Sequence, residues 1–451
     1  MSEELKKNVN EEAVMARLRK DLLSPLLSVP LSYKIWIGSL LTFIAVAVWA
    51  YVIQFQEGLG VTAMRDYVSW GLYIASFVFF VATALVGMLI SAVVGLLGQK
   101  WIIPISRIAE MIALAFVMMA GVIIVVDMGR PDRLLNVFIY GRFQSPIFWD
   151  ITVVNVYLVI SALLLFLPLL PDLGIMRNHL KKDLPKWQWN LYNILSLGWV
   201  GTPGQYKILH RTLRVLLILI VPVAMALHTV TSWLSALTLR AGWDSTIFGP
   251  YYVTGAFVAG AGAVLVAMYF VRKYYHLENY ITDYHFDKMG KLMVLVSLVY
   301  LYFNINEFLV PGFKMKTADS HHLHTLFSPH GEYFWMFWLT QTFGLILPII
   351  LGLFKRFRKP FPMMLIGLAI VVGAWFKRVI IIIPTLIHAF LPIQNVPESF
   401  HEYHPTGIEI TITLGTIAIA VLIFSILIKI FPAISIWELA EEEGVDIEKN
   451  L

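Results

Sequence analysis

The fold class follows from a stretch near the start of the chain, IPISRIAEMIALAFVMMAGVIIVVDMGRP, which covers residues 103–131. A helix crosses the hydrocarbon core of a bilayer in about 20 residues, and this stretch is long enough to do so. Its ionisable residues lie at its ends, with Arg107 and Glu110 at the start and Asp127 just before the glycine and proline that stop the helix. The stretch therefore predicts a membrane-spanning helix with polar groups at both ends.

The rest of the chain repeats this pattern. Of its 451 residues, 59% are hydrophobic and 14% are charged, whereas about 25% are charged in an average soluble protein. Such a chain cannot hide its apolar surface in a soluble fold, so we predict an all-α integral membrane protein with about ten transmembrane helices. The predicted spans cover residues 32–55, 67–98, 103–129, 147–170, 210–238, 250–271, 285–311, 330–355, 361–391 and 407–431.

The membrane domain is predicted to extend over residues 32–437, between a polar N-terminal segment, 1–31, and an acidic tail, 438–451. The N-terminal segment lacks the apolar core and cleavage site of a signal peptide. Lys and Arg are concentrated in the loops on the side of the N-terminus, which predicts a multi-pass protein of the inner (cytoplasmic) membrane with both termini in the cytoplasm. In the connection 171–209, the sequence after Trp187 is typical of an interfacial amphipathic helix.

Spans two and six open with related aromatic sequences, WGLYIASF at residues 70–77 and GPYYVTGAF at residues 249–257. An offset of four spans preserves helix direction, which predicts a parallel repeat of two four-helix bundles, about 67–238 and 250–391. Aromatic residues at both membrane interfaces produce the same pattern without a repeat. The sequence leaves these two explanations open.

Most deep polar residues collect in the half of the membrane away from the N-terminus. Ionisable groups are costly in a bilayer and are therefore informative. Hydrogen bonds between helices explain any one of them, but together they predict a polar pocket near the non-cytoplasmic surface. Its predicted members are Tyr73, Asp127, Asp150, His228, Ser232, Tyr251, Tyr252, Asn304, Asn306, Glu307, Lys377 and Arg378. Arg107 and Glu110, one helical turn apart at the cytoplasmic end, are either a self-neutralised pair, which we favour, or a proton entry.

Cofactor binding by the chain itself is constrained by two residue types. The chain has no cysteine, which excludes disulfides and any iron–sulfur cluster on its own thiolates. A b-type haem with two histidine ligands needs imidazoles at matching depth, and only His228 is deep, so we predict no haem. A histidine group on an outer loop is better explained as a solvated loop than as a metal site, and we predict no metal; it comprises His321, His322, His324 and His330.

An ordered set of short motifs between residues 65 and 437 resembles the polysulfide reductase/NrfD-type integral membrane subunits. No single motif is decisive, but their order is specific. The motifs are Trp70-Gly-Leu-Tyr-Ile, Leu89-Ile-Ser-Ala92, Arg107-Ile-Ala-Glu110, Gly129-Arg-Pro131, Phe143-x-Ser-Pro-x-x-Trp-Asp150, Leu227-His-Thr-x-x-Ser232, Gly249-Pro-Tyr-Tyr-Val, Ile281-Thr-x-x-His-x-Asp-x-Met289, Lys377-Arg-Val and Tyr403-x-Pro-Thr-x-x-Glu409.

Ten spans and this length resemble the long branch of that family, which includes DsrP/HmcC-like subunits, menaquinone reductase subunits and the membrane subunit of alternative complex III. The resemblance implies two four-helix bundles with flanking helices and a quinone site at the non-cytoplasmic face. It also implies an iron–sulfur, ferredoxin-like subunit above that site, with multihaem cytochrome c and other membrane subunits as further partners. Leu85 and Leu234 stand where alternative complex III usually has a histidine and an aspartate, which favours the DsrP/HmcC-like branch.

These observations predict a quinone- or quinol-interacting subunit of a respiratory redox complex, not catalytic alone. It would exchange electrons between a membrane quinone, menaquinone first, and a non-cytoplasmic iron–sulfur partner, with or without proton translocation. The alternatives are quinol oxidation toward cytochrome c in alternative complex III, a secondary transporter, which needs inverted repeats around a midplane site, and a structural anchor. The predicted quinone-binding residues are Tyr73, Asp127, Asp150, His228 and Arg378, and the predicted proton-transfer residues are Arg107, Glu110 and Glu307.

Overall fold

The computed structural model describes residues 3–388 and 393–445, apart from the side chains of residues 3–10, 88–89 and 91–95. The described part of the chain is built from helices and the loops between them. In chain order the α-helices are α1 (Glu3–Leu27), α2 (Leu31–Glu57), α3 (Leu72–Leu97), α4 (Ile103–Asp127), α5 (Asn136–Ile139), α6 (Pro146–His179), α7 (Lys186–Leu195), α8 (Pro203–Ala236), α9 (Phe248–Tyr274), α10 (Asp283–Lys314), α11 (Thr317–Phe327), α12 (Phe334–Gln341), α13 (Leu347–Leu353), α14 (Pro360–Ile387), α15 (Gly407–Ile430) and α16 (Ile436–Glu442).

The prediction of an all-α membrane protein is confirmed. Within the described residues, nine helical segments are long and apolar enough to cross a membrane, with α12 and α13 counted as one segment. A shorter apolar helix, Leu72–Gly87 in α3, matches the remaining predicted span. The last residues of the ninth predicted span, 389–391, lie outside the described part of the chain, as do 446–451 of the predicted acidic tail.

The fourth predicted span extends well beyond its predicted end. We predict that the fourth span ends at residue 170, but α6 continues to His179 through Pro168 and Pro171. Proline inside a membrane helix is tolerated because neighbouring groups can bond the carbonyls that it leaves free. In the same turn, the Pro168 carbonyl accepts from the indole of Trp437 over 2.8 Å, which ties α6 to α16. The predicted amphipathic helix in 171–209 is present as α7, with Trp187 exposed.

Eight of the ten crossings form two four-helix groups, and α2 and α15 flank the first. In the first, α3, α4, α6 and α8 each contact the next, and α8 returns to α3. In the second, α9, α10, the α12–α13 segment and α14 contact one another in the same order, and α14 returns to α9. The helices α2 and α15 pack together on the outside of the first group, against α4. The two groups meet along α3, α8, α9 and α14, which places these four helices at the centre of the molecule.

Small residues let the central helices approach closely. A Cβ at Gly260 of α9 would lie 2.2 Å from Val86 of α3, and one at Gly87 would lie 2.5 Å from the Ala109 carbonyl of α4. Close approach at small residues is how membrane helices gain packing without a hydrophobic driving force. The glycines of α9, Gly255, Gly260 and Gly262, therefore serve helix packing.

We name the two ends of the bundle by their contents. The N-terminal face carries α1, α7, α16 and the loops before α4, α10 and α14; the opposite face carries α5, α11 and the loops before α3, α9 and α15. On the N-terminal face α1 packs on α16, where Arg17 forms an ion pair with Glu443, and Lys429 donates to the carbonyl of Pro25 over 2.6 Å. The two described ends of the chain thus lie on one face.

Candidate functional site

The first polar cluster lies where α2, α3 and α4 meet near the opposite face. The Tyr73 hydroxyl donates to Oε1 of Gln54 over 2.5 Å, and Nε2 of Gln54 donates to the Val126 carbonyl over 2.9 Å. The next residue, Asp127, keeps a buried Oδ1 that has no hydrogen-bond partner among the described residues. Tyr73 and Asp127, two predicted site residues, are therefore brought together, through a glutamine that the sequence did not single out.

A second carboxylate, Glu409 of α15, lies within electrostatic range of both Tyr73 and Asp127. It is fully buried and accepts hydrogen bonds from the Ala63 amide over 2.7 Å and from the Tyr403 hydroxyl over 2.7 Å. Its pairing with Thr406 is a capping box at the start of α15, which is visible in the sequence as T-x-x-E. These bonds tie α15 to the loop before α3 and leave Glu409 well satisfied.

The third group lies between α6 and α8. The Thr231 hydroxyl lies 2.5 Å from Oδ1 of Asp150 and 2.9 Å from the Leu227 carbonyl. Three residues earlier on the same face of α8, Nδ1 of His228 lies 3.3 Å from the Ala224 carbonyl. Nε2 of His228 is buried without a hydrogen-bond partner in the described part of the chain.

Arg378 of α14 lies at the junction of the two groups. Its guanidinium carbon is 5.5 Å from the centre of the Tyr252 ring, and its charge is within electrostatic range of His228. The residue is 2% exposed, and its Nε finds no acceptor among the described residues. The structure therefore brings Arg378 and His228 together across α8, α9 and α14, while Tyr73 and Asp127 form a separate cluster nearer α2.

Glu307 of α10 pairs with Lys377 rather than with Arg378. Nζ of Lys377 lies 2.8 Å from Oε2 of Glu307, and both side chains are less than 10% exposed. The Tyr251 hydroxyl lies 2.7 Å from the same Oε2 and 2.8 Å from Oδ1 of Asn304. The ring of Tyr251 stacks on Tyr300, and the two hydroxyls are 3.3 Å apart.

A small cavity lies at the inner end of this network. It has a volume of about 20 Å³, which is room for about one water molecule. Gly344 and Leu345 of its lining belong to a π-helical turn, Thr342–Ile346, that joins α12 to α13. Pro348 has no N–H for the Gly344 carbonyl, which explains why the α-helical pattern is broken there. The polar lining consists of Tyr300, Thr340, Gln341, Lys377 and Arg378.

At the other end of the molecule, the carboxylate that pairs with Arg107 is Asp172 of α6, at 2.5 Å, and both residues are fully buried. Asp172 also accepts from the backbone amides of Ile436 and Trp437 at the start of α16, each over 3.2 Å. The interpretation of Arg107 and Glu110 as a self-neutralised pair is therefore wrong about the main partner of Arg107. Asp172 was missed because it follows the two prolines that appeared to end the helix.

The outer histidines do not assemble into a metal site within the described residues, where no group of three or more metal-binding side chains occurs. His324 and His330 are exposed, as expected for a solvated loop. His322 is instead buried against Gly242, and His321 lies with its ring 6.3 Å from that of His388.

The arrangement offers both hydrogen-bond donors and acceptors without protein partners inside the membrane. Among the predicted quinone-binding residues, the buried atoms without a partner in the described chain are Oδ1 of Asp127, Nε2 of His228 and Nε of Arg378. Buried polar groups in proteins are nearly always bonded, so unpaired ones call for an explanation such as a ligand or a water. These groups can accept a proton, donate a hydrogen bond and stabilise negative charge.

Comparisons with known proteins agree on one kind of membrane protein. The chain is 28% identical to the C subunit of a selenate reductase of Mesobacillus selenatarsenatis over 87% of its length and 93% of the relative's. It is 26% identical to the membrane C subunit of a putative dimethyl sulfoxide reductase of Halobacterium salinarum, covering 88% and 91%. It is 24% identical to an Hdr-like menaquinol oxidoreductase integral membrane subunit of Archaeoglobus fulgidus, covering 89% and 93%.

The family model described as polysulphide reductase, NrfD, matches residues 60–389, which is most of the chain and includes both four-helix groups. All of the predicted quinone-binding residues lie inside this match. The chain belongs to the NrfD polysulphide reductase family of integral membrane proteins.

Proposed function

We propose that this chain is the quinone-interacting membrane subunit of an oxidoreductase complex. It exchanges electrons between a membrane quinone and an iron–sulfur subunit on the opposite face. Family membership and the names of the three relatives, all membrane or C subunits of reductases or of a menaquinol oxidoreductase, support this assignment. The name of the Archaeoglobus relative makes menaquinone the first quinone to test. Because the chain has no cysteine, a partner must hold the cluster.

The observation that carries the proposal is that three of the five predicted quinone-binding residues, Asp127, His228 and Arg378, each keep a buried polar atom without a partner among the described residues. Leaving a buried donor or acceptor unpaired costs about 1–3 kcal/mol, and more for a charged group. Three such groups in one half of the membrane fit a site whose ligand supplies the missing bonds. A quinone headgroup supplies them at His228 and Arg378, since its two carbonyls accept hydrogen bonds and its reduced form donates them. Asp127, in the separate cluster near α2, receives a proton instead.

The tautomer of His228 indicates which of His228 and Arg378 accepts a proton and which donates a hydrogen bond. The Ala224 carbonyl can only accept, so Nδ1 of His228 must carry the hydrogen at that contact. In a neutral imidazole, Nε2 is then a lone-pair acceptor. His228 is thereby prepared to take a proton from a quinol hydroxyl, and Arg378, which is only a donor, is prepared to hold a quinone oxygen.

The headgroup does not fit the cavity beside Arg378, which holds about one water. Binding of a ring therefore requires that side chains move where α8, α9 and α14 meet. Tyr73, Asp127 and Glu409 lie on the far side of α3 from this point, near α2 and α15. In this proposal His228 and Arg378 contact the headgroup, Asp150 acts through Thr231 on the same face of α8, and Asp127 and Tyr73 receive protons.

We extend the proposal to the orientation of the chain in the membrane. Most Lys and Arg residues in the loops lie on the N-terminal face, including the run Lys355, Arg356, Arg358 and Lys359. The positive-inside rule then places the N-terminal face, with α1 and α16, in the cytoplasm. The quinone groups lie in the half of the membrane away from it, so the iron–sulfur partner docks on the non-cytoplasmic side.

The test uses the complex purified through a tag on this chain, with menadiol as the quinol and ferricyanide as the final electron acceptor. We expect His228→Ala, Asp127→Asn and Arg378→Ala each to lower turnover about 10- to 150-fold, which corresponds to one charge-assisted hydrogen bond of about 1.5–3 kcal/mol. Asn155→Ala is the control, because this exposed residue donates to the Ile151 carbonyl of its own helix and is not part of the predicted pocket. Normal turnover of all three variants at equal subunit levels would refute the site.

A further inference from the structure

One face of α14 leads from the opposite surface into the membrane. Lys377, Pro384 and His388 are spaced by seven and four residues, so they share a helix face. The eleven residues from Lys377 to His388 correspond to about 16 Å along a helix that rises 1.5 Å per residue. His388 is exposed, and its Nε2 lies 3.0 Å from the Thr325 hydroxyl of α11.

His322 of α11 lies midway along this face. It is 6% exposed, it lies against the Pro384 carbonyl, and Lys377 and His388 are both within electrostatic range. Burial, together with the nearby charges of His388 and Lys377, lowers the pKa of His322 to about 4. The ring is therefore neutral at rest, and its Nδ1 has no partner among the described residues.

The path continues inward through polar contacts that follow one another without a gap. Lys377 pairs with Glu307 over 2.8 Å, Glu307 accepts from Tyr251 over 2.7 Å, and the hydroxyls of Tyr251 and Tyr300 are 3.3 Å apart. Tyr300 lines the cavity next to Arg378. A continuous row of groups that can accept and donate protons thus ends beside a proposed quinone-binding residue.

The apolar part of the cavity lining lies toward the N-terminal face. It consists of Val258 of α9, Leu345 of the π-helical turn and Ile370 of α14. In the same wall, Gly344 and Gly373 bring the π-helical turn and α14 into backbone contact, since a Cβ at Gly373 would lie 2.4 Å from the Gly344 Cα. The row of polar groups therefore leads from the cavity toward the opposite face.

We propose that His322, Lys377 and Glu307 form a proton route that connects the cavity beside Arg378 with water at the opposite face. The inference rests on the proposed function, and it assigns the second four-helix group a role in the same reaction. Oxidation of one quinol breaks two O–H bonds, sends two electrons to the iron–sulfur partner and leaves two protons. One of those protons is received by Asp127 and Tyr73, and the other leaves through Tyr300, Tyr251, Glu307 and Lys377, then through His322 to the exposed His388. Lys377 and His322 interact electrostatically and have no direct hydrogen bond within the described chain, so this step runs through water.

The competing explanation is that Lys377–Glu307 is a structural ion pair and that His322 only fills space. Both explanations predict that large changes at Lys377 harm the protein. They differ at His322, because a space-filling ring needs no basic nitrogen. The test therefore replaces the imidazole by a smaller side chain and then supplies a ring from solution.

The experiment measures menadiol oxidation by the tagged complex, with ferricyanide as acceptor, for His322→Ala. We expect kcat to fall about 10²-fold, the usual contribution of a positioned acid–base group, while the KM for menadiol is unchanged because the quinone groups are intact. Added imidazole should restore turnover. Added pyrazole, a ring of the same size and much weaker basicity, should not. His324→Ala, an exposed histidine on the same helix, is the matched control and should behave as wild type.

Three outcomes would overturn the route. The first is wild-type turnover in His322→Ala, and the second is equal rescue by imidazole and pyrazole, which would mean that the ring only fills space. If His322→Ala does not assemble, Glu307→Gln takes its place, and an unchanged kcat in that isosteric variant is the third. A wild-type complex that does not oxidise menadiol would instead reject the proposed function and the route with it.

Discussion

Removing the carboxylate of Asp172 should release the C-terminal helix without unfolding the membrane bundle. Asp172 is fully buried, pairs with Arg107 at 2.5 Å and accepts two amides at the start of α16. Arg107 also lies 3.4 Å from the carbonyls of Pro432 and Ile434, so it too holds the segment that leads into α16. In Asp172→Asn the ion pair is lost and a guanidinium stays buried without its anion.

The magnitude follows from the burial of both partners. Breaking a buried ion pair by removing one partner costs about 3–5 kcal/mol. Only seven residues form α16, so this helix can open locally while the bundle stays folded. Asp172→Asn lowers the free energy of that local opening directly. At about 1.4 kcal/mol per factor of ten, the open population rises by two to three orders of magnitude.

The assay is native-state cleavage by a glutamate-specific protease. The glutamates Glu438, Glu441, Glu442 and Glu443 lie in or directly after α16, and cleavage follows the open population when closing is fast. We expect Asp172→Asn to be cut roughly 10²- to 10³-fold faster than wild type. Asp132→Asn is the matched control, because its ion pair with Arg130 is exposed to solvent and such pairs contribute little to stability.

An unchanged cleavage rate in Asp172→Asn would refute the reasoning, because it would mean that α16 is held by apolar packing alone. The double variant Arg107→Met, Asp172→Leu separates charge from packing. Replacing a whole buried pair by apolar groups is often neutral, whereas removing one partner is not. The double variant should therefore be cut more slowly than Asp172→Asn.

Two further predictions concern helix packing inside the bundle and the pH dependence of α16. Gly344→Ala should lower the thermal unfolding temperature, since its Cβ would lie 2.7 Å from Gly373 and overpacking costs about 1–3 kcal/mol, whereas Gly121→Ala, with nothing within 4 Å, should not. Burial, together with the nearby Asp172 carboxylate, raises the pKa of Glu438 to about 7, above its ordinary value in an unfolded chain. The folded state therefore favours the protonated form, so docking of α16 is tightest below about pH 4.5 and weakens as the pH rises to about 7. Glu438→Gln should remove this dependence, measured as cleavage rate against pH and normalised to an unfolded peptide.

The sequence predicts the crossings well because a bilayer makes one demand, a long apolar helix, that can be seen without knowing the neighbours. It also predicts in which half of the membrane Asp127, His228 and Arg378 lie, since depth follows from position within a span. The sequence does not give the hydrogen-bond and ion-pair partners of these side chains. Glu307 pairs with Lys377 and not with the adjacent Arg378, because the two side chains are about 100° apart around α14 and only one faces α10. Helix rotation and crossing decide such choices.

The same limit explains why Gln54, Asp172 and Gln341 were missed. Each is polar in a span but gains importance only through a partner on another helix: Tyr73 for Gln54, Arg107 for Asp172, and Asn304 for Gln341 at 2.8 Å. Their roles depend on contacts between residues far apart in the chain. A polar residue's depth can therefore be predicted from one sequence, whereas its chemistry requires the packed structure.

The packed structure divides the buried polar groups into two kinds, and the division bears on function. Asp172, Glu409 and Glu307 have their bonds made within the chain, so their burial is explained by the fold that they hold together. Asp127 and His228 each keep an atom that no described residue bonds, as does Arg378. A fold gains nothing from such atoms, and each costs about 1–3 kcal/mol. Groups that only hold helices together would be expected to be satisfied, so the unsatisfied ones are where a quinone headgroup should be sought first.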